Sequence, residues 1–210
     1  MRHYLELQDW RRRVAELFVE LRRRPPDAET LGWFRAEKDR LFREHPQSPL
    51  PEDARATFRG LTYWAFDPSA RIEARFKPAA DAEAGVETST GEHMSFSRIG
   101  RLDFRYAGQD CHLDAFWIHG YAGGLFVPFR DATSARETYG GGRYLLDTIK
   151  SADLGSDATA GTVILDFNYA YYPSCAYDPR WTCPLAPREN WLAIAVRAGE
   201  CDRSSDSGSG

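Results

Sequence analysis

Two segments in the middle of the chain alternate apolar and charged residues with a period of two. In RIEARFK, at residues 71–77, every second residue is apolar: Ile72, Ala74 and Phe76. The segment RLDFRY, at residues 101–106, repeats the pattern. Successive side chains of a strand point to opposite faces, so this pattern predicts antiparallel strands with one buried and one solvated face. The middle of the chain is therefore predicted to form a sheet.

Further strands are predicted on both sides of this pair. The turn AGQD at 107–110 joins RLDFRY to its return strand, CHLDAFWI. Other short strand-like segments, separated by Gly, Pro and Asp, lie near residues 60–66, 92–99, 124–129, 143–149, 161–169 and 191–198. The segment AADAEAGVETSTGE at 79–92 is polar and is predicted to be a loop. Short strands with such turns predict a mainly β, α+β fold built on an antiparallel barrel or sandwich.

The first 45 residues follow the helical period instead. Apolar residues recur at i, i+4, i+7, i+8 and i+11 on a helix from about residue 5 to 23. Asp27 is suited to cap a second helix, which ends before Pro46. Each helix has one apolar face, so both are expected to pack on the sheet. The predicted organisation is a helical extension over residues 1–50, a β domain over 51–200 and a disordered tail over 201–210.

Composition limits the classes of partner. The chain has 27 basic and 31 acidic residues and a net charge of −4, so no global positive field attracts nucleic acid or an anionic membrane. The N-terminus lacks the apolar core of a signal peptide, and no run approaches the roughly 18 apolar residues of a membrane span. We therefore expect a cytoplasmic protein that binds neither nucleic acid nor membrane, and its oligomeric state stays open.

The glycine run in ETYGGGRYLLDT, at residues 137–148, marks a first candidate site. A phosphate-binding loop requires Lys-Ser/Thr at its end and a helix after it, whereas a strand-like segment follows here. The run therefore predicts a tight turn rather than a nucleotide loop. Arg143 closes this turn and could clamp a carboxylate or a phosphate with two parallel hydrogen bonds. Alternatively, Arg143 pairs with Asp131 or Asp166 and locks the turn.

A second polar pair lies in LDFNYAYYP, at residues 165–173. On a strand, Asp166 and Asn168 share one face. A buried acid and a buried amide both need polar partners, and such a pair builds either a binding site or a structural hydrogen-bond network. The binding hypothesis requires Arg143 and Asp166 to converge on one spot.

Three long segments resemble a known family. They are SPLPEDARATFRGLTYWAF, LFVPFRDATSARETYGGGRYLLD and LDFNYAYYPSCAYDPRWTCPLAPRENWLAIAVRAGE, and they are similar to the bacterial and archaeal family called domain of unknown function 1684. The resemblance runs from about residue 30 to residue 200. It implies no established activity and no agreed catalytic residues. This chain has Ala135 where the family usually has glycine, and Tyr172 where the family usually has asparagine.

The strand pattern, an aromatic content of 13% and the two polar segments together predict a small-molecule-binding β-barrel. The aromatic residues expected to line an apolar cavity are Trp64, Phe96, Phe104, Phe116 and Trp117. The polar site, with positions carried over from the family pattern, is predicted to comprise Arg143, Asp166, Asn168, Asp131, Tyr139, Tyr171, Glu189 and Asn190. One alternative is a hydrolase or isomerase that uses Asp166 and Arg143. A second alternative is a structural or interaction module.

Cys175 and Cys183 are separated by seven residues in a proline-rich loop. A structural zinc site needs four nitrogen or sulfur ligands, and the other cysteines and histidines have no matching spacing. We therefore predict no metal site, and no cofactor. The two thiols are expected to be buried and unreactive, and a disulfide between them is the alternative if the protein meets an oxidant.

Overall fold

A curled antiparallel sheet forms the frame of the molecule, which is described here from a computed structural model over residues 2–119 and 123–202. The strands are β1 (Arg71–Glu87), β2 (His93–Tyr106), β3 (Gln109–Ile118), β4 (Gly124–Phe129), β5 (Arg143–Asp147), β6 (Ser156–Asp157) and β7 (Thr162–Asp166). Within the described ranges these seven strands pair in the order β5-β4-β3-β2-β1-β7-β6. The sheet curls into a half-barrel, which confirms the predicted antiparallel, mainly β fold.

Two helices precede the sheet, and their apolar faces pack on Ala152 and Tyr169, which lie in the segments that follow β5 and β7. They are α1 (Arg2–Arg23) and α2 (Ala28–Glu44), and a short helix, α3 (Glu52–Thr57), follows them. The predicted cap is present, because the carboxylate of Asp27 accepts a hydrogen bond from the backbone N–H of Thr30 at 2.8 Å. Phe34 of α2 meets the ring of Tyr169 edge-on, with 5.0 Å between ring centroids, and so joins the helices to the β half of the chain. No helix in the described ranges is long and apolar enough to cross a membrane.

The structure corrects the predicted loop at 79–92. Strand β1 continues to Glu87, whose partner in β2 is His93. The segments predicted separately at 92–99 and 101–106 are parts of one strand, β2. Alanine and glycine replace large apolar residues over much of this extension, so its alternation is weak. Val86 is nevertheless buried in a core cluster with Phe96 of β2, and Ala84 packs against that cluster.

Two other predicted strands do not form. Near 60–66 and 191–198 the described residues make isolated bridges only, Tyr63 with Glu200 and Arg130 with Trp191. In the second segment the carbonyl of Val196 accepts a hydrogen bond from a side chain, not from a neighbouring strand. The segment predicted at 161–169 is a strand only as far as Asp166, after which the chain enters a 3-10 turn.

The interior of the half-barrel is filled by side chains. Phe96, Phe104 and Phe116, which were expected to line a cavity, are buried in the core, and Phe96 packs on Phe126 at 5.7 Å between ring centroids. Trp117 instead lies on the outer face and is 40% exposed. Phe96, Phe104 and Phe116 therefore belong to the packed core instead of lining an open cavity.

Candidate functional site

Arg143 is buried in a closed polar cluster. Its guanidinium pairs with the carboxylate of Asp131 at 3.2 Å, and both side chains are at most 1% exposed. It also donates hydrogen bonds to three backbone carbonyls, those of Val196 at 2.8 Å, Glu200 at 3.2 Å and Ala198. Burial lowers the pKa of the guanidinium, and Asp131 opposes that shift. These five residues, here called the Arg143 cluster, fit the alternative in which Arg143 pairs with Asp131 and locks the turn.

The carboxylate of Asp131 is satisfied from within the protein. One oxygen accepts hydrogen bonds from the hydroxyl of Thr133 at 2.6 Å and from its backbone N–H at 3.3 Å. The other oxygen accepts from the backbone N–H of Val196 at 2.6 Å and from Arg143. Asp131 therefore joins the turn after β4 to the C-terminal segment.

The glycine run is a turn, as predicted, and its last glycine is required by geometry. Gly142 has a φ of +95°, and a Cβ built there would lie 2.5 Å from the carbonyl oxygen of Phe129. An L side chain would thus meet both an unfavourable backbone conformation and a steric overlap. The run delivers Arg143 to the cluster and does not present a loop to a phosphate.

Ala135, which stands where the family usually has glycine, is strained. Its φ is +64°, in the left-handed region. Replacing Ala135 by glycine relieves that strain but makes the unfolded chain more flexible, and we expect a net gain in the free energy of unfolding of about 0.5–1 kcal/mol. Urea denaturation would measure it. Ala36→Gly, on the exposed face of α2, is the control and should instead lose about 1 kcal/mol. A loss at both positions would contradict the left-handed conformation at Ala135.

Asp166 and Asn168 form a second, separate cluster. The amide nitrogen of Asn168 donates to Asp166 at 2.9 Å, and the same amide group bonds the backbone N–H and carbonyl of Asp67 at 2.9 and 2.7 Å. Asp166 also pairs with Arg71 at 3.4 Å, and burial raises the pKa of Asp166. The chain turns at residue 167, so the acid and the amide contact each other instead of pointing together from a strand.

Arg143 and Asp166 thus belong to different ion pairs. An aromatic layer connects their two clusters, because the ring of Phe129 lies 4.9 Å from the guanidinium carbon of Arg143 and 5.2 Å from the ring of Phe167. The predicted site required Arg143 and Asp166 to meet. In the structure Arg143 pairs with Asp131, and Asp166 pairs with Arg71.

The remaining predicted residues are spread over the same half of the molecule. Asn190 is buried and bridges β3 and β4 through hydrogen bonds with the backbone of Asp114 at 2.7 and 3.0 Å and with the carbonyl of Pro128 at 2.6 Å. Glu189, beside it, is exposed. The ring of Tyr171 packs edge-on against Tyr144 at 5.7 Å. Asn190 and Tyr171 therefore contribute to packing and strand connection.

Tyr139 lines a surface cavity of about 340 Å³. We call this cavity the tyrosine pocket and define it by Tyr139, Tyr172, Tyr177, Glu200 and Asp202, and Leu50 and Phe58 are among the apolar residues that also line it. The ring centroids of Tyr139 and Tyr172 are 6.0 Å apart, and those of Tyr172 and Tyr177 are 6.2 Å apart. Burial raises the pKa of Tyr139 to about 12 and that of Tyr172 still further, so both hydroxyls keep their protons at neutral pH.

The two acids of the tyrosine pocket are held differently. Glu200 is 1% exposed, pairs with Lys38 of α2, and accepts hydrogen bonds from the hydroxyl of Tyr177 and from the backbone N–H of Tyr172 at 2.8 Å. Asp202 is exposed and accepts a hydrogen bond from the hydroxyl of Tyr172 at 2.9 Å. Glu200 is therefore neutralised from inside, while Asp202 turns its charge toward solvent.

A larger cavity, of about 570 Å³, lies between α1 and α2. Its charged side chains pair with one another: Arg2 with Glu6 at 2.9 Å, and Asp9 with Arg13 at 2.7 Å. It contains none of the residues that the sequence predicted. Within the described residues, no group of three His, Cys, Asp or Glu side chains could hold a metal ion.

Glu200, Asp202 and Tyr177 were not predicted as site residues. Asp202 fell in the segment expected to be a disordered tail, yet its backbone N–H bonds the carbonyl of Glu137 at 2.9 Å, and that of Cys201 bonds Thr62 at 3.0 Å. The rest of that segment, residues 203–210, lies outside the described ranges. Tyr172 was not predicted either, and Tyr139 is the predicted site residue that lies in this pocket.

The protein is a mainly β, α+β half-barrel with two N-terminal helices and a buried arginine–aspartate pair. The family described as "Protein of unknown function (DUF1684)" matches residues 56–201, and the chain belongs to this family, which confirms the resemblance. Among solved structures, an uncharacterized protein of Haloarcula marismortui, determined by solution NMR, is 38% identical with a TM-score of 0.61. The match covers 82% of this chain and 92% of that one. No curated protein matches the chain.

Proposed function

We propose that this protein binds a small organic cation in the tyrosine pocket. The observation that carries the proposal is the combination of three tyrosine rings and two carboxylates around one cavity of about 340 Å³, a volume suited to a small ligand. The faces of aromatic rings attract cations, and groups of such rings recognise ammonium ligands.

The charges of the pocket favour a cation over an anion. Of the described residues that line it, Glu200 and Asp202 are acidic and none is basic. Lys38 balances Glu200 from outside the lining, so the net negative charge comes from Asp202. A ligand with one ammonium group would therefore meet aromatic faces on its apolar surface and a carboxylate at its charge.

The predicted polar site has a positioning role in this proposal. Arg143 holds the backbone carbonyls of Ala198 and Glu200, and the side chain of Glu200 in turn holds Tyr177 and the backbone of Tyr172. The Arg143 cluster thus supports the pocket wall from behind. We do not favour the enzyme that uses Arg143 and Asp166, because each of these groups is paired within its own buried cluster.

The replacement of Asp202 by asparagine tests the proposal. It removes the exposed charge and keeps the shape, so we expect the affinity for choline, used as a probe cation, to fall about tenfold, or about 1.4 kcal/mol. The affinity is measured by isothermal titration and by the shifts of the tyrosine ring signals in NMR. The neutral isostere 3,3-dimethylbutan-1-ol should bind more weakly than choline and should not respond to the substitution.

The matched control is Asp110→Asn, which makes the same charge change at a side chain that is 91% exposed near the start of β3. It should leave the affinity for choline unchanged. Equal binding of choline and its isostere, or an equal loss with Asp110→Asn, would refute a cation site. Loss of choline binding in Tyr172→Leu, with retained stability, would support the aromatic contribution.

A further inference from the structure

Cys175 and Cys183 are neighbours in space. The backbone N–H of Cys175 donates to the sulfur of Cys183 at 3.4 Å. Cys175 is partly exposed, whereas Cys183 is 5% exposed. Cys183 is fixed on the turn between β1 and β2, because its backbone exchanges hydrogen bonds with Ser89 at 2.8 and 3.1 Å. A partly exposed cysteine and a buried one are thus neighbours, with the buried sulfur against the backbone of the exposed residue.

The surroundings of Cys175 stabilise a thiolate. Its sulfur lies 3.7 Å from the hydroxyl of Tyr139. Hydrogen bonds from Cys183, Tyr139 and Ser89 lower the pKa of the Cys175 thiol, while the same pairing and burial raise the pKa of Cys183. Hydrogen bonds to the charged form favour that form, and the thiolate is the reactive state of a cysteine.

We propose that Cys175 and Cys183 form a peroxide-reactive thiol pair that converts reversibly into a disulfide. This inference replaces the expectation that both thiols are inert, and it does not depend on the cation site. It rests on the hydrogen bond from the backbone of the partly exposed Cys175 to the buried sulfur of Cys183, and on the hydroxyl of Tyr139 beside the Cys175 sulfur. Such an arrangement provides an attacking thiol and a resolving thiol within one loop.

The reaction balances with hydrogen peroxide as the oxidant. The Cys175 thiolate attacks one peroxide oxygen, the O–O bond breaks, and hydroxide leaves, so that Cys175 becomes a sulfenic acid. The Cys183 sulfur then attacks the Cys175 sulfur, the S–O bond breaks, and water leaves after the Cys183 proton is transferred to the departing oxygen. In sum, two thiols and one peroxide give one disulfide and two waters, and a dithiol reductant reverses the step.

Cys111 is the internal comparison. It is also partly exposed, but burial raises the pKa of its thiol, and its sulfur donates weakly to the backbone carbonyl of Gln109 at 3.7 Å. A partly exposed cysteine whose pKa is raised rather than lowered should therefore react more slowly than Cys175. This contrast separates the proposed chemistry from general thiol oxidation.

Peptide mapping tests the proposal on the full-length reduced protein. After hydrogen peroxide treatment and alkylation of the remaining thiols, trypsin cleaves after Arg180, between the two cysteines. The peptides 151–180 and 181–188 should then remain joined by a disulfide until dithiothreitol is added. Absence of the linked peptide, or alkylation of Cys175 no faster than that of Cys111 at pH 7, would overturn the proposal.

Variants identify the two roles. Cys183→Ser should accumulate a sulfenic acid at Cys175 that dimedone traps, and Cys175→Ser should leave Cys183 unmodified. Cys111→Ser is the matched control and should form the linked peptide as the wild type does.

Tyr139→Phe removes one hydrogen-bond donor to the Cys175 sulfur, so the pH profile of Cys175 alkylation should move to higher pH and the rate at pH 7 should fall by up to about tenfold. An unmoved profile would exclude the contribution of Tyr139, and sulfenic acid at Cys111 alone would refute the assignment of the reactive thiol.

Discussion

Replacing Arg143 by methionine is expected to lower the free energy of unfolding by about 3–5 kcal/mol. Methionine has a similar length but neither charge nor donors. The carboxylate of Asp131 would stay buried without its cation, and the carbonyls of Val196, Ala198 and Glu200 would lose their donors. Urea denaturation followed by tryptophan fluorescence gives the free energy, and an unchanged slope would show that the native and unfolded ensembles stay comparable.

Arg197→Met is the matched control for this substitution. Arg197 pairs with Glu137 at 2.8 Å, but its side chain is 56% exposed. An exposed ion pair contributes about 1 kcal/mol or less. A second variant, Arg143→Met combined with Asp131→Asn, removes the unpaired charge and should lose less than the sum of the two single changes. Equal losses for Arg143→Met and Arg197→Met would show that the Arg143 cluster does not lock the turn.

The sequence predicted those elements whose own apolar and polar residues alternate with the period of a strand or a helix. The alternation in 71–77 and 101–106 marks one wet and one buried face, and the structure has strands there. The cap at Asp27 is equally local, since donor and acceptor are three residues apart. The continuation of β1 to Glu87 was missed because its evidence lies in the partner strand. The backbone hydrogen bonds that pair this extension with β2 leave no mark in its side chains, many of which are alanine.

The candidate site was harder to predict than the fold, because several of its contacts join residues that are far apart in the sequence. The pairing of Arg143 with Asp131 was foreseen as an alternative because both belong to one turn, 12 residues apart. Glu200 was missed because its partner, Lys38, lies 162 residues away and belongs to a helix. The residues around Glu200 in the sequence give no sign that this carboxylate is buried beside a lysine of α2. The tyrosine pocket is assembled from segments that only the tertiary fold brings together.

Replacing Gly142 by alanine should lower the free energy of unfolding by about 2–5 kcal/mol, since two costs add. The first cost is the φ of +95°, and the second is the overlap of a Cβ with the carbonyl of Phe129 at 2.5 Å. Backbone of a strand cannot shift as a flexible side chain can, so the turn itself must move. Because Arg143 follows directly, such movement would also loosen its bond to Asp131. Urea denaturation again measures the loss.

Gly155→Ala separates the two costs. Gly155 has a φ of +104°, but a Cβ built there meets nothing within 4 Å. Its replacement should therefore show the conformational cost alone, about 1–3 kcal/mol. The excess of Gly142→Ala over Gly155→Ala measures the overlap with Phe129, and that excess should shrink in an Arg143→Met background, where the turn no longer has to present its guanidinium. Identical losses at the two glycines would mean that the glycine run serves turn geometry only and that its close approach to β4 contributes nothing.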